Sequence, residues 1–258
     1  MTAHLALQLK EKLASEEPLL GTFAGLGSPV AVEIAAAAGA DWVLLDLEHG
    51  GGSEELVGPS VTAAAAYGVP LIVRTESGDR PRAGRALDGG ASGIMIPRIT
   101  GIADAQDALR ILRYPPDGDR GVATYNRQAR FGLRPEVLAS RNDEVVGVIQ
   151  IETVGAIRDI GEIAATDGVD VLFIGPVDLS YALGVPLGFT SPVFRQALDT
   201  VAAAAKRHGK TAGIMAPSAA AAADYLTRGF RFLSLASDAS LLARTMHDAF
   251  ASIRKDHP

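Results

Sequence analysis

A set of polar residues in this chain sits just past short apolar runs. Asp46, Glu48 and His49 follow WVLL, Arg74 closes PLIVR, Gln150 and Glu152 end VVGVIQIE, and Asp178 lies in FIGPVD. Glu152 and Asp178 would repel one another at neighbouring strand ends unless a cation lay between them. A hard divalent ion such as Mg²⁺ or Mn²⁺ suits that arrangement, because it takes one or two carboxylates and fills its shell with water and substrate oxygens. Glu152 has two other readings, a solvated acid at a strand end or a partner for Arg74. His49 is the only histidine of five at a strand C-terminus, where an imidazole exchanges protons near neutral pH. It could equally be fixed by Asp46, and with no second histidine nearby in the pattern a zinc site is weak. Arg74 stands where a substrate carboxylate or a developing oxyanion would lie, or else pairs with Glu48 or Glu152. Gly175 and Pro176 let the backbone approach a ligand and open a helix whose first amides favour an anion.

Those residues need elements that bring them together. Near-continuous apolar runs at 19–24, 41–46, 70–74, 92–96, 145–151, 169–174, 211–215 and 231–235 read as parallel strands buried on both faces. Helical stretches separate them, at 28–38, 53–66, 81–88, 101–113, 153–165, 191–208, 218–227 and 238–254. Ser28, Ser53, Ser191 and Asp238 read as helix starts, and Gly39, Gly68, Gly168, Gly209 and Gly229 as stops. Eight such units predict an α/β fold of the (β/α)8 TIM-barrel type, with chemistry at the C-terminal ends of the strands. The absence of GxGxxG after the first strand disfavours an open doubly wound sheet. No linker divides residues 1–258, which read as a single barrel domain.

The bulk numbers agree. Of 258 residues, 48% are hydrophobic and 21% charged, enough for a large core. A net charge of −6 without a Lys/Arg block disfavours nucleic acid. The apolar runs are too short for a bilayer, no secretory leader is evident and cysteine is absent, so the default compartment is the cytosol. Lys10 and Lys12 precede the first strand, Lys206 lies in a helix, Lys210 starts a strand and Lys255 is in the tail. None sits inside a barrel, which argues against a Schiff-base mechanism. Residues 114–134 interrupt the pattern with Arg120, Arg127, Arg130 and Arg134 and no apolar period. A segment this long is either a solvated loop or an ordered arm touching a neighbouring subunit.

Taken together, DLEHG (46–50), VR (73–74), YPPDGDRGV (114–122), VIQIET (148–153), FIGPVDLS (173–180) and GKTAGIM (209–215) resemble the HpcH/HpaI family of metal-dependent pyruvate aldolases, of the 4-hydroxy-2-oxoheptanedioate aldolase type. The motifs run in order over almost the whole chain. The resemblance implies a phosphoenolpyruvate/pyruvate-type barrel that binds Mg²⁺, Mn²⁺ or Co²⁺ through Glu152 and Asp178. It implies His49 as the acid–base residue, Arg74 as the stabiliser of transition-state charge, and Asp88 as an acid that raises the basicity of the histidine. It further implies Gln150 and the 175–178 turn (Gly175, Pro176, Val177 and Asp178) as contacts of the keto acid, and Met215 on the aldehyde side. Homohexamers built as trimers of dimers, with exchanged C-terminal helices, are part of the same expectation. Asp88 falls at the end of its helix, near the bottom of its own barrel, so it would reach a His49 only across a subunit interface.

The implied reaction is reversible cleavage of 4-hydroxy-2-oxo acids to pyruvate and an aldehyde by way of an enolate, in sugar-acid or aromatic catabolism. Oxaloacetate decarboxylation would be a side activity. Its rivals are a CoA-ester lyase, for which no basic CoA site is evident, a dedicated decarboxylase, and a non-catalytic keto-acid-binding protein.

Overall fold

The apolar runs become strands because each supplies side chains to two dry layers at once. In the computed structural model, which describes residues 2–77 and 80–256, they form β1 (Leu19–Ala24), β2 (Trp42–Asp46), β3 (Leu71–Arg74), β4 (Gly93–Ile96), β5 (Val146–Ile151), β6 (Val171–Ile174), β7 (Thr211–Ala216) and β8 (Phe232–Ser237). All pair in parallel with their sequence neighbours, and β8 returns to β1 to close the barrel. The helices are α1 (Thr2–Leu13), α2 (Pro29–Ala37), α3 (Val57–Ala65), α4 (Arg80–Asp88), α5 (Ile102–Arg110), α6 (Arg141–Glu144), α7 (Val154–Arg158), α8 (Ile160–Ala165), α9 (Pro176–Ala182), α10 (Pro192–Arg207), α11 (Ala219–Thr227) and α12 (Asp238–Asp256). The expected (β/α)8 barrel is the observed fold. Among the described residues no helix is long and apolar enough to cross a membrane.

Two hydrophobic clusters follow from the alternation of strand side chains. The outer one joins Val43, Leu45, Val73, Ile149 and Ile174 to helix residues such as Val61, Leu87 and Val201. The inner one fills the barrel with Leu19, Phe23, Trp42, Leu44, Ile72, Met95, Val148, Phe173 and Phe232, and Leu9 of α1 belongs to it. Trp42 stacks on Phe232 with centroids 4.0 Å apart, and Phe173 meets both edge-on. Gly21 makes room for this layer, since a Cβ there would stand 2.3 Å from the indole. Continuing the inward row up each strand turns Trp42–Leu44 into Asp46, Ile72 into Arg74, and Val146–Val148 into Gln150 and then Glu152. An apolar plug thus becomes a polar mouth in one step of the pleat.

The strand bounds agree with the expectation to within two residues, and the helices show more departures. α1 has no counterpart in the sequence reading; its Leu5, Ala6 and Leu9 are buried. The expected helix 153–165 divides at Asp159, whose carboxylate accepts from Ile102 N–H at 3.1 Å and is gripped by Arg158. Residues 53–66 open with a 3₁₀ turn, and 101–113 stops being α-helical after Arg110. Ser191 caps α10 through Phe194 N–H, whereas the Ser28 and Ser53 side chains make no cap bond. Gly39 and Gly229 do stop their helices with left-handed backbone, φ 96° and 94°.

Residues 114–134 are ordered. Arg120 is buried, Gln128 donates to Leu87 C=O at 2.7 Å, and Arg141 donates to Gln128 C=O. The segment therefore packs against the end of α4 instead of forming a solvated loop. Tyr125, Phe131 and Leu133 remain on its outer side, exposed.

Candidate active site

Arg74 and Asp46 are direct neighbours in the β2–β3 register, so the pleat turns both inward at the mouth. The guanidinium holds the carboxylate in a fork, Nε to Oδ1 at 2.9 Å and Nη2 to Oδ2 at 2.7 Å. Its remaining nitrogen, Nη1, lies 3.1 Å from Glu48 Oε2 and donates to Gln150 Oε1 at 3.4 Å. The Phe23 ring supports it, 5.0 Å from Cζ. Burial opposes ionisation of Asp46, but the Arg74 hydrogen bonds and charge, with the His49 and Glu48 amides, outweigh it and hold the carboxyl below its ordinary range. At Glu48 burial wins over the nearby Arg74 and His49 charges, and its carboxyl is pushed up.

The second group stands across the mouth. Glu152 is buried just past β5, and its Oε1 accepts from Arg98 N–H at 2.6 Å while Oε2 accepts from the Gln150 amide. Arg98 takes a left-handed conformation, φ 56°, to aim that amide. Burial raises the Glu152 pKa against the pull of the Arg98 amide, and the charges of Asp178 and Glu48 raise it further. Asp178 lies in the first turn of α9 and is exposed. Gly175 keeps the space between strands open, for a Cβ there would come 2.5 Å from Glu152 Oε2 and 2.7 Å from Gln150 Nε2. Mutually repelling carboxylates beside a gap fit a hard divalent cation. Among the described residues no group of three or more His, Cys, Asp or Glu gathers to hold a metal ion; a pair of carboxylates would rely on water and substrate for the other ligands.

His49 hangs into the mouth. Its ring is largely exposed, Nε2 is 3.8 Å from Glu48 Oε2, and its backbone N–H donates to Asp46 Oδ1 at 3.3 Å. Asp46 therefore positions the His49 backbone and not the imidazole, because Arg74 occupies both of its oxygens. Of the two acids read as alternative partners of Arg74, Glu48 pairs with it and Glu152 does not, and Asp46 takes the rest of the guanidinium. A cavity of about 620 Å³ collects Asp46, His49, Arg74, Pro176, Val177 and Met215.

Asp88 stands elsewhere. It ends α4, below β4, and accepts from Arg120 Nη2 at 2.8 Å, with the Tyr114 ring 4.4 Å from the Arg120 Cζ. His4 lies in α1, His208 at the end of α10 and His247 in α12; His257 lies outside the described residues. Sequence reasoning missed Phe23, Arg98 as an amide donor, and the cavity residues Leu187, Phe189 and Tyr225. Phe23 was within reach, since it shares the inward parity of Leu19 on β1, but backbone strain at Arg98 leaves no trace in composition.

A closed parallel barrel with an inward arginine, an exposed histidine and two carboxylates at the C-terminal ends of its strands has the architecture of a (β/α)8 enzyme, and these residues form its candidate site. A family model described as HpcH/HpaI aldolase/citrate lyase matches residues 19–245. A hydroxypyruvate/pyruvate aldolase of Paraburkholderia phytofirmans is 36% identical over 252 residues, 95% of this chain and 97% of the relative. A 5-keto-4-deoxy-D-glucarate aldolase of Klebsiella pneumoniae subsp. pneumoniae is 33% identical over 246 residues, 94% and 96%. The crystal structure of an HpcH/HpaI aldolase/citrate lyase family protein from Burkholderia cenocepacia aligns with a TM-score of 0.91 at 38% identity, covering 96% of this chain and 99% of that one. The chain belongs to the HpcH/HpaI aldolase/citrate lyase family and is a carbon–carbon lyase of the aldolase kind, as the motif resemblance implied.

Proposed function

We propose that this protein is a divalent-metal-dependent pyruvate aldolase, cleaving 4-hydroxy-2-oxo acids to pyruvate and an aldehyde and running the addition in reverse. One observation carries the reading: Arg74, fixed by Asp46, shares the barrel mouth with buried Glu152 and with Asp178. Mg²⁺, Mn²⁺ or Co²⁺ held by Glu152 and Asp178 would supply Lewis acidity towards the carboxylate and 2-oxo oxygens of the substrate. Gln150 and the turn Gly175–Pro176–Val177 hold the keto acid. Arg74, through Nη1, donates to the oxygen that gains charge as the C3–C4 bond breaks. His49 takes the proton of the 4-hydroxyl in cleavage and delivers it to C3 of the enolate to give pyruvate; in addition it takes the C3 proton and returns it to the new 4-oxygen. Met215 stands on the aldehyde side. Oxaloacetate decarboxylation follows from the same enolate.

The assembly belongs to the same reading. α12 exposes Leu241, Leu242, Met246, Phe250 and Ile253, and an apolar cavity of about 520 Å³ runs between Leu20, Ile34, Ala38 and these two leucines. Exchange of this helix within a homohexamer would cover both. Asp88, oriented by Arg120, would then face a neighbouring subunit's His49, and the 114–134 segment would close that neighbour's mouth. The direct test is exchange of the pyruvate C3 protons, which requires the enolate chemistry and no aldehyde.

A further inference from the structure

We propose that the acceptor side of the cavity is built for an uncharged aldehyde with an apolar chain, and that Leu187 and Phe189 are its specificity-determining residues. The inference rests on the aldolase reading and names the second substrate, which that reading leaves open. The 620 Å³ cavity takes Asp46, Arg74 and His49 into its lining together with the apolar Val177, Leu187, Phe189, Met215, Pro217 and Tyr225, and its polar residues beyond these are Ser237, Ser240 and Arg244.

This apolar shelf is held rigidly. The Ser180 side chain is fully buried, donates to Val177 C=O at 2.7 Å and accepts from Leu187 N–H at 3.0 Å. Leu187 itself adopts φ 57°, a left-handed conformation that a leucine takes only where its surroundings impose it. Phe189 N–H bonds to Leu187 C=O at 3.0 Å, and Gly188 N–H to Val185 C=O at 2.8 Å. The Phe189 ring meets the buried Phe194 edge-on, centroids 5.6 Å apart. A strained leucine and a braced phenylalanine thus border the cavity that Arg74 and His49 enter.

The charges in that cavity are largely spent. Asp46 and Arg74 satisfy each other. Arg244, at the rim, donates to Pro217 C=O at 3.3 Å and is the one other cationic lysine or arginine side chain on the lining. A carboxylate at the far end of the aldehyde would have to lose water against the apolar shelf with Arg244 as its counter-charge, whereas an alkyl or aryl chain gains by the same burial. The step is balanced: pyruvate C3 loses a proton and bonds to the aldehyde carbon, and the new C4 alkoxide takes up a proton, with nothing oxidised or reduced.

The experiment measures kcat/KM for pyruvate addition to propanal, butanal and pentanal, and to aldehydes of equal length ending in a carboxylate. Burial of each methylene predicts about a fourfold gain, so pentanal exceeds propanal by about tenfold or more, and each alkyl aldehyde exceeds its carboxylated counterpart. Leu187→Asn, whose new side chain tolerates left-handed backbone, brings the pentanal-to-propanal ratio to within about threefold, and Phe189→Ser does the same. Each ratio is read against that variant's own pyruvate C3 exchange, which involves no aldehyde. Exchange with no chain-length dependence, or preference for the carboxylated aldehyde that is lost in Arg244→Gln, overturns this inference and leaves the aldolase reading standing. Absence of exchange in the wild type breaks the aldolase reading itself.

Discussion

Arg74 gives two hydrogen-bond donors to Asp46 and keeps its third nitrogen for Glu48, Gln150 and the substrate. A lysine has one point charge and no fork, so Arg74→Lys keeps a cation beside Asp46 but cannot hold Asp46 and the developing charge together. Steady-state assay of this variant is expected to show kcat down by about 10²- to 10³-fold with the circular-dichroism melt preserved; unaltered turnover would remove the oxyanion role. Arg74→Ala is a poorer probe, since stranding the buried Asp46 carboxylate costs about 3–5 kcal/mol of stability. Much at this scale was legible. Arg74 and Gln150 each continue an apolar strand by one inward step and Glu152 by two, and His49 follows Asp46 by three residues. Partner choice was legible in part: Glu48 was read as a possible partner of Arg74 and pairs with it, but the fork by which Arg74 takes both Asp46 oxygens depends on strand register, which no local sequence pattern states.

At the scale of elements, the strands were readable because parallel strands buried on both faces give unbroken apolar runs. The helix division at Asp159 was not, because a tertiary partner imposes it. The Arg158 hydrogen bonds, then the Ile102 amide, hold the Asp159 carboxyl down to about 2. A depressed acid contributes stability that is complete above its unfolded value and lost as pH falls through its folded one. The melting temperature of Asp159→Asn should therefore lie below that of the wild type at pH 6, and the gap should close as the pH approaches 2. A gap independent of pH would show that the carboxylate charge is not what joins α5 to α8. α1 (TAHLALQLKEKL) escaped notice although it carries Leu5, Leu7, Leu9 and Leu13, because it precedes the regular strand–helix alternation; its place under the barrel is decided by Leu9 meeting the interior cluster.

At the scale of the whole molecule, the apolar residues of α12 and the outer Tyr125, Phe131 and Leu133 are left exposed by the chain. Contiguous apolar patches of this sort mark interfaces. If the proposed exchange of α12 holds, Met246→Glu combined with Phe250→Glu yields smaller particles in light scattering, with C3 exchange reduced by about 10²-fold for want of a second subunit's Asp88 at His49. Monomers with full activity would show that the site is complete within one chain. The composition pointed to a large core, but nothing in it stated which apolar residues would be left for a partner.

The central claim is that the carboxylate pair and Arg74 together generate a nucleophilic carbon at pyruvate C3. In deuterated water, NMR follows loss of the pyruvate methyl signal with Mg²⁺ or Mn²⁺ present and no aldehyde. The account predicts cation-dependent exchange that disappears on chelation and in the Glu152→Ala, Asp178→Ala double variant. No exchange with cation present, or exchange that survives chelation or the double variant, would contradict it.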